Sequence, residues 1–239
     1  MSEIAAAWDR GAASYQAAAA LPTDVAHYGP GLPTEADLRL LGDLKGKRVL
    51  ELGCGGAQTS IAFAKHGATA IGVDFSAAQL EYARALCEAE EVRVELRHGD
   101  MADLAFLRAD TIDLVFSAFA FGYVEDLNRV FRQVHRVLKV GSPLVFSLPH
   151  PAARLVAGAG SGVVGPGPRS YFDTRPYEST FGGVRSPAYH HTFADLYMGL
   201  HRSSYRVDLV LEPEPVVAGA GGVALVPPAL IIRARKEGN

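Results

Sequence analysis

The sequence predicts an α/β fold, a doubly wound parallel sheet covered on both faces by helices. Three observations carry this. Apolar runs of strand length alternate with helical patterns over about 100 residues, and strands interleaved in this way pair in parallel and bury both faces. Residues 48–74 hold one complete unit of strand, glycine turn, helix and second strand. The motifs around it and after it stand at carboxyl ends of strands, where ligands bind in such sheets.

Taken in order, residues 3–20 are alanine-rich and form a helix on propensity. Trp8 and Tyr15 are one residue from sharing a face of it, which suits docking onto the body. Residues 21–33 carry glycine and proline breaks and read as a loop, with His27 and Tyr28 near the expected mouth of the site. Thr34 with Asp37 resembles a capping box that opens a helix to about Leu44. Val49 to Leu52 is a buried strand, Gly53, Gly55 and Gly56 make a turn, Ala57 to Lys65 is a helix, and the next strand ends in Asp74. Ser76 and Gln79 give a second capping box, opening a helix to about Glu90. Strands follow at residues 92–96, 112–117 and 143–149, with Asp126 as N-cap of a helix to Leu138 between the last two.

The turn after the first strand exposes backbone N–H groups to a ligand, and a carboxylate at Asp74 can take both hydroxyls of a ribose. A dinucleotide site requires a third glycine where this chain has Gln58. Glu51, two residues before the turn, would repel a pyrophosphate but suits an amine. S-adenosylmethionine has that amine, a sulfonium and a ribose, and no phosphate. Asp100 can accept from an adenine amine and Met101 can offer its backbone N–H to a ring nitrogen; Asp100 also suits the N-cap of a helix. The apolar residues after the 112–117 strand would flank the adenosine and the methyl group.

The stretches VLELGCGG, GVDFS, HGD and DLVFSAFAFGYVED resemble, in order and spacing, the motifs of class I S-adenosylmethionine-dependent methyltransferases. The ubiquinone-biosynthesis-type small-molecule branch is the nearest likeness, and it covers residues 8–150. The resemblance implies a seven-stranded sheet whose last strand is antiparallel. It also implies that the segment around Trp8 and Tyr15 folds over the cofactor, with Tyr15 toward the methionine carboxylate. The cofactor set is then Tyr15, Glu51, Gly53, Gly55, Asp74, Phe75, Gln79, Asp100, Met101, Ser117 and Ala118, and the product is S-adenosylhomocysteine. Ala57 stands where the family often has another glycine, a departure expected to cost little.

From His150 the character changes. Residues 158–167 are dominated by glycine, and the following stretch sets Tyr171, Phe172, Tyr177 and Phe181 among charges. This reads as an inserted antiparallel cap over the site, or as an excursion covering an edge strand. Tyr28, Phe121, Tyr171 and Phe172 are the expected acceptor contacts. A helix at about residues 192–201 and strands at 205–211 and 229–236 complete the sheet. The expected division is a helical lid (1–45), a cofactor-binding core (46–149), a substrate cap (150–190) and a completing segment (191–239).

The composition is that of a globular chain, 49% hydrophobic and 21% charged, with a net charge of −3 and no basic block, which argues against nucleic acid as the main partner. Cys54 and Cys87 form no metal-ligand pattern, so no metal is expected and a reduced, cytoplasmic setting is the simplest reading. The N-terminus reads as no signal peptide and no apolar run suits a membrane span. A monomer or a homodimer fits the charge balance.

Methyl transfer from a sulfonium gains most from alignment and from removing water. A base is needed only where the acceptor must lose a proton to become nucleophilic. His150, His190 and His191 flank the cap and are the candidate bases. The expected function is methyl transfer to an O, N or C nucleophile of a small aromatic or apolar metabolite. The alternatives are a non-methylating protein that binds the same cofactor and a dinucleotide oxidoreductase, which Gln58 and Glu51 oppose.

Overall fold

A computed structural model of the protein describes residues 3–155, 169–214 and 226–238; the glycine-rich stretch expected at 158–167 and most of the linker before the final strand lie outside these. Strands β1 (Arg48–Leu52), β2 (Thr69–Asp74), β3 (Val94–His98), β4 (Leu114–Ala118) and β5 (Pro143–Pro149) are parallel. After β5 the chain makes a separate hairpin, β6 (Tyr177–Phe181) with β7 (Val184–Ala188). It then returns through β8 (Tyr205–Leu211) and β9 (Ala229–Lys236), and β9 inserts antiparallel between β5 and β8. The seven-stranded sheet has the order β3-β2-β1-β4-β5-β9-β8. Chain order reverses between β1 and β4, and that reversal opens a crevice above their carboxyl ends.

Alternation along the strands supplies a core on each face. Leu50 and Leu52 of β1, Val115 of β4 and Phe146 of β5 join one cluster with Phe131 and Val134 of α5 (Leu127–Val137) and Leu196 and Leu200 of α6 (Phe193–Arg202). Val49, Phe116 and Val145 point the other way and meet Phe63 of α3 (Gln58–Lys65), Leu41 and Tyr28. Both faces are dry, as a parallel sheet requires.

Strand β4 begins at Leu114 rather than at residue 112, and two other boundaries differ from expectation for a visible reason. The helix after Thr34 has its capping box but is a single turn, α2 (Glu35–Leu38), not a helix to Leu44. The Glu35 carboxylate stops it by accepting the N–H groups of Leu40 (2.9 Å) and Leu41 (2.8 Å), which would otherwise continue the helix. β3 begins two residues later than expected, because Val94 rather than Val92 pairs with Ala70. Ala57 also costs more than expected: it sits at φ 60°, left-handed backbone that a side chain disfavours by roughly 1–2 kcal/mol.

The cover over the crevice comes from the first helix and from the hairpin of β6 and β7. Helix α1 (Glu3–Ala19) packs against α4 (Ala77–Ala89) and β7. The hairpin turns at Gly182, where a Cβ would lie 2.4 Å from the Tyr15 ring, so only glycine lets the two covers meet.

Candidate active site

The floor of the crevice is set by backbone. The N–H groups of Gly53 (2.8 Å) and Cys54 (3.1 Å) both donate to the Val73 carbonyl, which bends the chain sharply off β1. Gly53 has φ 69°, and a Cβ there would lie 2.3 Å from the Ala120 side chain. The next strand end is locked to this turn: Asp74 accepts from the N–H of Gly55 and of Ser76, each at 2.8 Å.

Two carboxylates lie buried here. Burial pushes Asp74 up to about 6, against the hydrogen bonds from Ser76 and Gly55. Burial likewise pushes Glu51 up to about 8, although its carboxylate accepts from the Ser60 hydroxyl at 2.5 Å. Tyr15 is raised to about 12 by burial and by the charges of Asp74 and Glu51. The site therefore favours a cation near both carboxylates.

Above the turn runs a chain of amides. Gln58 donates to Gln16, and Gln16 donates to Gln79 at 2.7 Å. The Gln79 Nε2 is buried with no partner, and so is the Trp8 indole nitrogen; both residues line the cleft. A buried donor without an acceptor is costly in a finished structure, and both of these belong to residues on the cleft lining.

The wall is aromatic. Trp8 meets Tyr15 edge-on at 5.1 Å and Tyr123 at 5.3 Å, Tyr15 lies 5.9 Å from Phe181, and Phe181 stacks on Phe119 at 5.4 Å. Behind this wall is a second, narrower chamber bounded by Phe119, Gly122, Tyr123, Pro149, Tyr177, Ser179, Phe181 and Ala188. Phe119, Tyr123 and Phe181 border both chambers.

Residues 49–141 match the family model described as a methyltransferase domain. A ubiquinone biosynthesis O-methyltransferase of Pseudomonas syringae pv. tomato is 37% identical over 105 residues, 44% of this chain and 45% of that protein. An S-adenosylmethionine-dependent methyltransferase of Mesorhizobium loti superposes with a TM-score of 0.68 at 26% identity, over 84% of this chain and 96% of that one. Residues 49–141 thus form a methyltransferase domain, and the chain shares the fold of S-adenosylmethionine-dependent methyltransferases. Its matches with the curated relatives span less than half of their length.

The residues of the cleft fit S-adenosylmethionine, the cofactor named for the structure this chain resembles. The orphan amide of Gln79, the buried acids and a turn that closes if Gly53 gains a side chain all call for a polar, partly cationic ligand. Of the sequence candidates, Tyr15, Gly53, Gly55, Asp74, Phe75, Gln79 and Ala118 line the cleft. Glu51 lies buried at the end of β1, beside the turn. The Ser117 hydroxyl is committed to the Leu52 carbonyl at 2.9 Å, and so ties β4 to β1. Met101 is buried with its methyl end 3.4 Å from where a Gly53 Cβ would stand. Asp100 caps no helix; it is exposed and accepts the Ala102 N–H in a turn.

The acceptor candidates are placed differently from expectation. Tyr28 is wholly buried, donating its hydroxyl to Glu35 at 2.6 Å, and Phe121 is wholly buried against Phe131 and Phe146. Neither lies on a chamber wall. Tyr171 takes the Phe193 N–H on its hydroxyl, and Phe172 is 82% exposed. The three histidines have separate partners: His150 lies 2.9 Å from Glu212, His190 2.8 Å from the Tyr171 carbonyl and His191 2.8 Å from the Val124 carbonyl. None borders either chamber.

Of the residues that do form the walls, Trp8 and Phe181 were singled out in the sequence as parts of the two covers, whereas Phe119 and Tyr123 were legible only as members of an apolar stretch. Phe119 sits at φ 56°, and this left-handed kink is the local reason that its ring faces the chambers while Phe121 faces the core.

Proposed function

We propose that this chain transfers a methyl group from S-adenosylmethionine to a nucleophile on a small, aromatic or apolar metabolite. The observation that carries the reading is an aromatic-walled cleft over a glycine turn, with Asp74 on its lining and Glu51 buried beside the turn. In this reading Asp74 holds the ribose, Glu51 and Gln79 serve the amino-acid end, Phe75 and Met101 flank the adenine with Asp100 at its edge, and Tyr15 and Gln16 close the cleft from above. When bound, the cofactor supplies a methyl group on a sulfur that leaves as a neutral thioether.

The protein's own contribution is alignment and dryness. Trp8, Tyr15, Phe119 and Phe181 line the cleft and exclude water from the bound methyl group. No histidine is assigned as a base, since His150, His190 and His191 are engaged outside both chambers. Residues 1–45 and 150–190 act as the two covers, 46–149 as the cofactor half and 191–239 as the completion of the sheet. Among the described residues no helix is long and apolar enough to cross a membrane. The protein is proposed to work as a monomer or a homodimer.

Calorimetric titration tests this. S-adenosylmethionine and S-adenosylhomocysteine are expected to bind in the micromolar range and NAD not at all, with at least a tenfold loss (about 1.4 kcal/mol) in Asp74→Ala. A folded protein that binds neither ligand overturns the assignment.

A further inference from the structure

We infer that Trp8 is a cofactor-binding residue, whose indole N–H donates to the carboxylate at the amino-acid end of S-adenosylmethionine. The inference rests on the proposed cofactor reading and assigns a further residue to it.

The protein leaves one hydrogen bond at this residue unmade. Trp8 is 9% exposed and lines the cleft, yet its Nε1 is buried and finds no acceptor among the described residues. A buried N–H without an acceptor is destabilising, and a phenylalanine ring would fill the place without that cost. The oxygens close by are engaged elsewhere: the Asp9 carboxylate accepts from the Ser76 hydroxyl and the Ala78 N–H, and the Tyr123 hydroxyl is bonded with Ser179. An indole nitrogen can only donate, so the group that completes it must bring a lone pair.

Charge selects which end of the cofactor that is. Glu51, buried at the end of β1, suits the amine, which leaves the carboxylate of the same amino-acid end to be met. No lysine, arginine or histidine stands among the described residues of the cleft lining, so this anion has to be held by neutral donors. Trp8 and Tyr15 are two such donors brought together by one helix, their rings meeting edge-on at 5.1 Å. Tyr15 keeps its proton, since burial and the charges of Asp74 and Glu51 push it up to about 12. Hydrogen bonds from neutral donors to an ion are roughly twice as strong as those between neutral groups. The adenine and the ribose also carry lone pairs, but no charge that needs such partners.

Trp8 is the only tryptophan of the chain, so its indole N–H gives a single peak in a proton–nitrogen correlation spectrum of the whole protein. The test titrates in S-adenosylmethionine and, beside it, decarboxylated S-adenosylmethionine, which lacks only the carboxylate. The first is expected to move the indole peak downfield and the second to leave it near its free position. Trp8→Phe, which keeps a ring but removes the donor, is expected to weaken S-adenosylmethionine at least about tenfold (about 1.4 kcal/mol) and the decarboxylated ligand less than about threefold. A peak that S-adenosylmethionine leaves in place, or that both ligands move alike, overturns the proposal. So does an equal loss of both ligands in Trp8→Phe, which would make the indole a packing element only. Should the decarboxylated ligand not bind, the downfield shift with S-adenosylmethionine decides alone. Absence of S-adenosylmethionine binding in the unaltered protein is a different failure, of the cofactor reading, and this inference falls with it.

Discussion

The two chambers are built on different principles. The one above the glycine turn is shaped by backbone: Gly53 and Cys54 bond to Val73, and Asp74 bonds to Gly55 and Ser76, all within one strand–turn–helix–strand unit. The one behind it is shaped by side chains from two distant places, the segment after β4 and the hairpin of β6 and β7. A backbone-built site tolerates almost no change at its turn, whereas a wall of side chains can be altered ring by ring. This is how one fold can keep a cofactor and vary an acceptor.

The sharpest way to break the comparison is Gly53→Val. A branched side chain at φ 69° that also runs into Ala120 should weaken S-adenosylhomocysteine binding by more than about a hundredfold. Titration on a variant with an unchanged circular dichroism spectrum checks this, and a loss below tenfold would mean that the turn is not rigid.

Next in size is a pH effect. Glu51 and Asp74 have raised values in the folded protein, about 8 and about 6, so the fold holds their protons more tightly than the unfolded chain does. Their contribution favours folding fully below the ordinary carboxylate range and is lost as pH rises toward about 8. The melting temperature of the ligand-free protein, followed from pH 5 to 8, is expected to fall by about 3 °C or more. Glu51→Gln should flatten most of that slope.

A smaller change is expected for Gln16→Ala, which removes the bonds to Gln79 and Gln58. Hydrogen exchange in residues 3–19 should quicken by about 3–10-fold, the worth of a buried neutral hydrogen bond. Exchange that quickens around Gly53 instead would show that the amide chain supports the turn and not the cover. Smallest is Ala57→Gly, expected to raise the melting temperature by about 1–2 °C by relieving φ 60°; a fall would show that the buried methyl group matters more than the backbone.

The same contrast explains what the sequence made legible. The strands, the glycine turn and Asp74 could be read because they follow from periodicity and local turn chemistry, and the observed sheet order agrees with them. The α2 helix was misjudged because a side chain, Glu35, intercepts the N–H groups that would extend it. Phe121 was preferred over Phe119 because apolarity alone cannot tell a core ring from a wall ring. The kink that separates them becomes visible only in the backbone angles. Tyr28 and the histidines were assigned from their positions near the mouth, but their polar atoms are engaged elsewhere by tertiary partners.

The contact between Tyr15 and Gly182, with Gly11 facing Val184 beside it, also bears on the order of assembly. Residues 3–19 are synthesised long before residues 177–188, so α1 must wait for the hairpin before its final packing surface exists. The glycine turn and its carboxylates, by contrast, close on contacts much nearer in sequence, and near contacts form early. During synthesis the cofactor half is thus complete while still uncovered, and the docking of its oldest helix is among the last events of folding.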